Sequence, residues 1–170
     1  MEKIHEIIAE ITEKYETPIR LGSRCESKVF YRVEDLSDTD VLTCADYIAE
    51  RIMNVCSPNL PQVLINLPGS ETGLAEALSV QLAPQGEQLL IIQADSIKAG
   101  SDALSAIRGT NVCLVNDVIT TGISCLETHT KATLAGATVL CWASLIDRTF
   151  GPGPVPVAAS FTGAPIRLIK

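Results

Sequence analysis

Val112-Cys113-Leu114-Val115-Asn116-Asp117-Val118-Ile119-Thr120-Thr121-Gly122-Ile123-Ser124 is the stretch that decides how this chain folds. Its first four residues are apolar and read as a strand buried on both sides. Polar residues follow at Asn116 and Asp117, and then a tight Thr-Thr-Gly-x-Ser turn that opens a helix over 124–135. Ser124 and Glu127 stand at capping-box spacing, and Gly136 follows as the C′ residue. In an open α/β sheet, ligands sit at the carboxyl ends of the strands. Successive backbone N–H groups in such a turn, together with the helix N-terminus, favour an anion. Thr120, Thr121 and Ser124 add hydroxyl donors. The loop from Asn116 to Ser124 is therefore expected to hold a sugar phosphate. Asp117, at the strand end, is expected to accept from sugar hydroxyls or to help hold a metal. Read by spacing alone, the same residues also suit an ordinary strand–turn–helix connection.

Outward from this stretch, strands and helices alternate. Val63-Leu64-Ile65 reads as a strand, followed by the loop Leu67–Gly73 and a helix through Leu74, Leu78 and Leu82. Leu89–Ile92 is a second strand, and a polar loop then leads to Val112. A fourth strand is predicted from Val139 to about Ile146. Upstream, Ile4, Ile7, Ile8 and Ile11 mark an amphipathic helix over 2–16, ended by Thr17-Pro18. Residues 27–33 read as a short strand. Ser37 and Asp40 cap a helix whose stripe runs Val41, Ala45, Ile48, Ile52, Val55. A Pro- and Gly-rich loop at 150–156 precedes two short strands near 157–161 and 166–169. The expected fold is α/β: one domain over 1–170, with a mostly parallel central sheet flanked by helices. A small hood comes from about 1–35 and 150–170.

Composition narrows the function classes. Hydrophobic residues make up 46% of the 170 residues and charged ones 19%, as expected of a chain that folds around a core. The net charge of −7 argues against a nucleic-acid partner. No apolar run approaches the roughly 20 residues a membrane helix needs, and the start lacks the pattern of a signal peptide, so a cytoplasmic protein is expected. The six cysteines form no CxxC pair and read as buried, reduced thiols.

The 112–124 segment resembles the phosphoribosyl-pyrophosphate motif of the type I phosphoribosyltransferases, in which a hydrophobic strand runs into acidic-Asp and Thr-Thr-Gly-x-Ser. Leu67–Gly73 resembles that family's pyrophosphate loop, with Pro68, Gly69, Ser70 and Glu71 as substrate-binding positions. Leu145-Ile146-Asp147-Arg148 resembles the strand ending in Asp-Arg of the orotate branch. Leu21-Gly22-Ser23, Ser27 and Phe30-Tyr31 are similar to its hood segment.

The resemblance implies transfer of ribose 5-phosphate from phosphoribosyl pyrophosphate to a nucleobase, as in pyrimidine biosynthesis. It also implies a homodimer, and Mg²⁺ bridging pyrophosphate and ribose. Carried over, Asp117 binds the ribose hydroxyls and stabilises the developing cation, touching the metal only indirectly. The backbone of Thr121, Gly122, Ile123 and Ser124 holds the 5-phosphate. Thr120 contacts ligand and loop, and Arg148 holds the base, although a surface salt bridge with Asp147 is the plain alternative. Arg20, Arg24 and Lys28 of the hood could reach over the site.

Two departures stand out. Asn116 replaces the first acid, removing a negative charge. The mobile catalytic loop is shortened to Gln93–Gly100, with Lys98 as its one cation. Asp117, Asn116 and Lys98 are the catalytic candidates. A catalytically weakened relative that binds a nucleotide or phosphoribosyl pyrophosphate as a regulator stays open. So does an unrelated α/β nucleotide or receiver module, although the GxGxxG and Walker patterns are absent.

Overall fold

A computed structural model describes residues 2–21, 25–84, 86–149, 153–164 and 166–168. Gly22, Ser23 and Arg24 of the expected hood lie outside the described residues.

Ile4, Ile7 and Ile8 of α1 (Glu2–Glu10) face the core, and Ile11 just beyond is buried with them. The expected helix to residue 16 stops there. Past Ile11 the next residues offer no apolar side chain to the core, and Pro18 cannot sit inside a helix. The chain turns instead into β1 (Thr12–Leu21), antiparallel to β2 (Cys25–Tyr31). Thr17-Pro18 falls where the ladder slips between Lys14 and Ile19, the irregular place where a residue without an N–H is tolerated.

A 3-10 turn, Val33–Asp35, leads to α2 (Asp38–Cys56). Its capping box forms as expected: Ser37 Oγ accepts from Asp40 N at 3.2 Å, and Asp40 reaches back to Ser37 N. The buried stripe is Val41, Cys44, Ala45, Ile48, Ala49, Ile52 and Cys56. Val55 is not part of it. The helical repeat carries the inward face from Ile52 to Cys56 and leaves Val55 half exposed.

The alternation continues through β3 (Val63–Asn66), α3 (Leu74–Gln81), β4 (Leu90–Gln93), α4 (Asp102–Ile107) and β5 (Asn111–Ile119). Then come α5 (Ile123–Leu134), β6 (Thr138–Asp147), β7 (Val157–Thr162) and β8 (Arg167–Leu168). Helix α4 lies in what reads from sequence as a polar loop, and Ser101 caps it by accepting from Leu104 N at 3.1 Å.

The central sheet is β4-β3-β5-β6-β7, and every neighbouring pair is parallel. Two hydrophobic clusters cover its faces. One is built around α1, α2 and α3, the other around α4 and α5. The expected α/β class holds, with a three-stranded antiparallel sheet β1-β2-β8 as the hood. The described residues of the segment 150–170 divide between the two sheets. Strand β7 extends the central sheet, with Ala158 buried in the first cluster, and only β8 joins the hood.

Strand β5 runs four residues beyond the expected Val115, because Val118 and Ile119 continue the ladder with Ile146 and Asp147. Asn116 and Asp117 are thus strand residues on opposite faces. The six cysteines are buried and none is in a disulfide. Among the described residues no helix is long and apolar enough to cross a membrane.

Ile48 is fully buried between α2 and the sheet. Ile48→Ala is expected to cost about 2–5 kcal/mol of unfolding free energy. Leu42→Ala, at a position 49% exposed on the same helix, should stay within about 0.5 kcal/mol. Urea denaturation of both variants checks the contrast.

Candidate functional site

Beyond Ile119 the chain turns through Thr120, Thr121 and Gly122 into α5. Gly122 is the N-cap residue at φ +74°, in the left-handed region where a side chain is strained, and no side chain caps the helix. The expected Ser124–Glu127 capping box does not form, because the helix starts one residue earlier and Ser124 sits inside its first turn. That leaves Ser124 lining the site. Residues 118–125 and Asn116 enclose a small cradle of about 90 Å³. Its lining holds no carboxylate, and the helix N-terminus supplies positive partial charge, so it suits a phosphate group.

A larger cleft of about 540 Å³ adjoins the cradle. Asn116, Val118 and Thr120 line both spaces. Pro68 and Gly69 form another side, and Arg20, Leu21, Phe30, Tyr31, Val33 and Glu34 of the hood close over it. Asn116 also contacts Cys125, whose thiol burial pushes up to about 12.

Asp117 is not in either space. It is 3% exposed, on the other face of β5. Its Oδ1 accepts from Ser70 Oγ at 2.8 Å and Thr72 Oγ1 at 2.6 Å, and its Oδ2 accepts from Glu71 N at 2.8 Å and Thr72 N at 3.2 Å. Four donors fill a carboxylate. The role implied for Asp117, direct contact with ribose hydroxyls or a metal-bound group, does not fit this arrangement. Asp117 positions the 67–73 loop. Ser70 and Glu71, implied as substrate contacts, are drawn to Asp117 and do not line the cleft, whereas Pro68 and Gly69 do. Among the described residues no group of three His, Cys, Asp or Glu side chains could hold a metal ion. With Asp117 filled, the described residues offer no carboxylate set for a resident Mg²⁺.

Arg148 follows β6 and is 4% exposed. A surface pair with Asp147 is not what forms. Nε donates to Ala164 O at 2.8 Å, Nη1 to Val29 O at 3.3 Å and Nη2 to Ser27 Oγ at 2.5 Å. Its guanidinium lies 5.3 Å from the centroid of the Tyr31 ring, and burial pulls it below the usual arginine range. Asp147 instead accepts from Thr149 N and Oγ1. Gly163 backs this wall. A Cβ there would meet Arg148 Cγ and Ile146 Cγ2 at 2.7 Å, closer than side chains approach.

Lys98 lies exposed on the turn before α4 and lines neither cradle nor cleft. Of the hood cations, Arg20 lines the cleft, Lys28 does not, and Arg24 lies outside the described residues. Sequence reading missed Val118 and Glu34. For Val118 the signal was present: in a strand, Asn116, Val118 and Thr120 share a face that Asp117 does not.

No family model matches the sequence, and neither does any curated protein. Solved structures do match. The fold is that of the type I phosphoribosyltransferases. Within that class, the orotate phosphoribosyltransferase of Aeropyrum pernix superposes with a TM-score of 0.67 at 18% identity, over 94% of this chain and 93% of that one. The Francisella tularensis orotate phosphoribosyltransferase gives 0.63 at 19%, over 95% and 84%. Leishmania donovani UMP synthase gives 0.64 at 16%, over 95% of this chain and 36% of that one.

If Asp117 holds the 67–73 loop, Asp117→Ala leaves buried donors without an acceptor. Its unfolding free energy should fall by about 3 kcal/mol or more. Asn116→Ala should cost about 1 kcal/mol. Chemical denaturation compares them, and an Asp117→Ala protein as stable as wild type would refute the positioning role.

Proposed function

We propose that this chain transfers ribose 5-phosphate from phosphoribosyl pyrophosphate to a nucleobase. The observation that supports this best is the wall common to the two spaces. Asn116, Val118 and Thr120 line both a phosphate-sized cradle and a cleft wide enough for a sugar and a base. The likeness to orotate phosphoribosyltransferases supports the same reading at the level of fold.

In this reading the 5-phosphate rests on the Thr121–Ser124 backbone, and the ribose lies along Asn116 and Thr120. The base lies beneath the hood. A ring nitrogen of the base donates its electron pair to C1 of the ribose. The bond from C1 to the pyrophosphate oxygen breaks, pyrophosphate leaves with the electrons of that bond, and the ring N–H proton passes to the departing pyrophosphate. The chain holds both reactants in line and excludes water with the hood. Mg²⁺ would come as the counter-ion of pyrophosphate. The buried cysteines, none of them in a disulfide, fit the reducing cytoplasm. Exposed Ile123, Leu126 and Leu134 fall on one face of α5 and support a homodimer.

One observation favours a second reading, a weakened relative that binds phosphoribosyl compounds as a regulator. No carboxylate of β5 faces the cleft, since Asn116 is neutral and Asp117 is turned away. Turnover of phosphoribosyl pyrophosphate with a panel of bases separates the readings. Asn116→Asp is expected to raise the rate, because it puts a carboxylate where the sugar becomes cationic. Tight nucleotide binding without turnover in either protein favours the regulator.

The cradle has its own test. Gly122→Val forces a β-branched residue to positive φ and should weaken phosphoribosyl pyrophosphate binding at least 10-fold by titration calorimetry. Equal affinity in the two proteins would remove the phosphate from this turn.

A further inference from the structure

On the reading just given, the cleft beside the cradle takes the base, and its charged groups decide which base. The lining carries three charged side chains, Arg20, Glu34 and Arg148. Arg148 is the cation expected to meet a carboxylate-bearing base, yet each of its three nitrogens already donates into the hood, to Ala164 O, Val29 O and Ser27 Oγ. One face of its guanidinium lies over Tyr31. It braces the wall. Arg20, near the end of β1, is exposed, as Glu34 is.

Glu34 stands in the 3-10 turn Val33–Asp35, on the hood side of the cleft. Among the described residues the hood's ion pair joins Arg32 to Glu13, and Glu34 takes no part in one. An ionised carboxylate is an acceptor only. It attracts amine N–H groups, and it opposes both a second carboxylate and a row of carbonyl oxygens. Phe30, in the same lining, offers an aromatic face on which a base can stack.

We infer that the base accepted by this cleft is uncharged and carries an exocyclic amine, and that Glu34 is the specificity-determining residue that accepts from that amine. An orotate-like base, with an anionic carboxylate and its remaining ring N–H flanked by two carbonyls, would bring repelling oxygens up to Glu34 along with the one donor it offers. The proposal rests on the phosphoribosyl reading of the site but departs from the bases that the structural likenesses suggest.

The experiment measures kcat/KM for cytosine, adenine, guanine, uracil and orotate with saturating phosphoribosyl pyrophosphate, in wild type and Glu34→Gln. The amide keeps the size of the side chain and removes its charge. The wild type is expected to prefer amino-bearing bases. In Glu34→Gln their kcat/KM should fall about 10–100-fold, mainly through KM, with orotate and uracil unchanged or improved. Orotate used in preference, or an amino preference that survives Glu34→Gln, overturns the inference and leaves the transferase reading standing.

If no base is turned over, calorimetry with the corresponding nucleoside monophosphates gives the same decision. Tighter binding of CMP, AMP or GMP than of UMP or OMP, lost in Glu34→Gln, supports the role of Glu34. Equal binding of all five overturns it. Binding of none removes the phosphoribosyl reading and the inference with it.

Discussion

The buried carboxylate of Asp117 is the interaction on which the geometry of this site depends. An ionised group at that depth is tolerable only when hydrogen bonds replace its lost water, and four donors from Ser70, Glu71 and Thr72 do so. Three consecutive loop residues are thereby tied to the middle strand of the sheet. The tie sets where Pro68 and Gly69 emerge, and these form one side of the cleft. It also settles the parity of β5. With Asp117 turned toward the loop, Asn116 and Val118 have to point the other way.

Much of the fold is legible in the sequence because its signals are strong and local. The Ser37–Asp40 capping box and the buried stripe from Val41 to Ile52 need no tertiary context to be recognised. The 112–124 segment locates the strand, the turn and the helix of the cradle. What escapes is decided by pairing between distant residues. Thr12–Leu21 is mostly polar and becomes a strand only because β2 lies beside it. Val157–Thr162 looks like part of a terminal flap, and its place is fixed by the parallel edge that β6 offers.

The site was legible in location more than in roles. Reading Asn116 and Asp117 as loop residues hides the alternation that separates their side chains. Once β5 is extended to Ile119, a period of two places one on the cleft and the other behind it. Arg148 shows the same limit differently. An Asp-Arg pair at a strand end gives no sign that the arginine will be claimed by the backbone carbonyls of Ala164 and of Val29, the latter 119 residues away in sequence.

The tight packing at Gly163 has a consequence for how this scaffold can diversify. That position has no room for even a methyl group between Arg148 and Ile146, so the rear of the cleft can hardly be reshaped one residue at a time. The turn of the cradle is similarly constrained by the backbone of Gly122. The open side is different, because Arg20 and Glu34 are exposed and their replacement disturbs little packing. The lining can thus be altered from the rim while the turn and the back of the cleft stay as they are, so a family of such proteins could vary what its cleft receives without rebuilding its core.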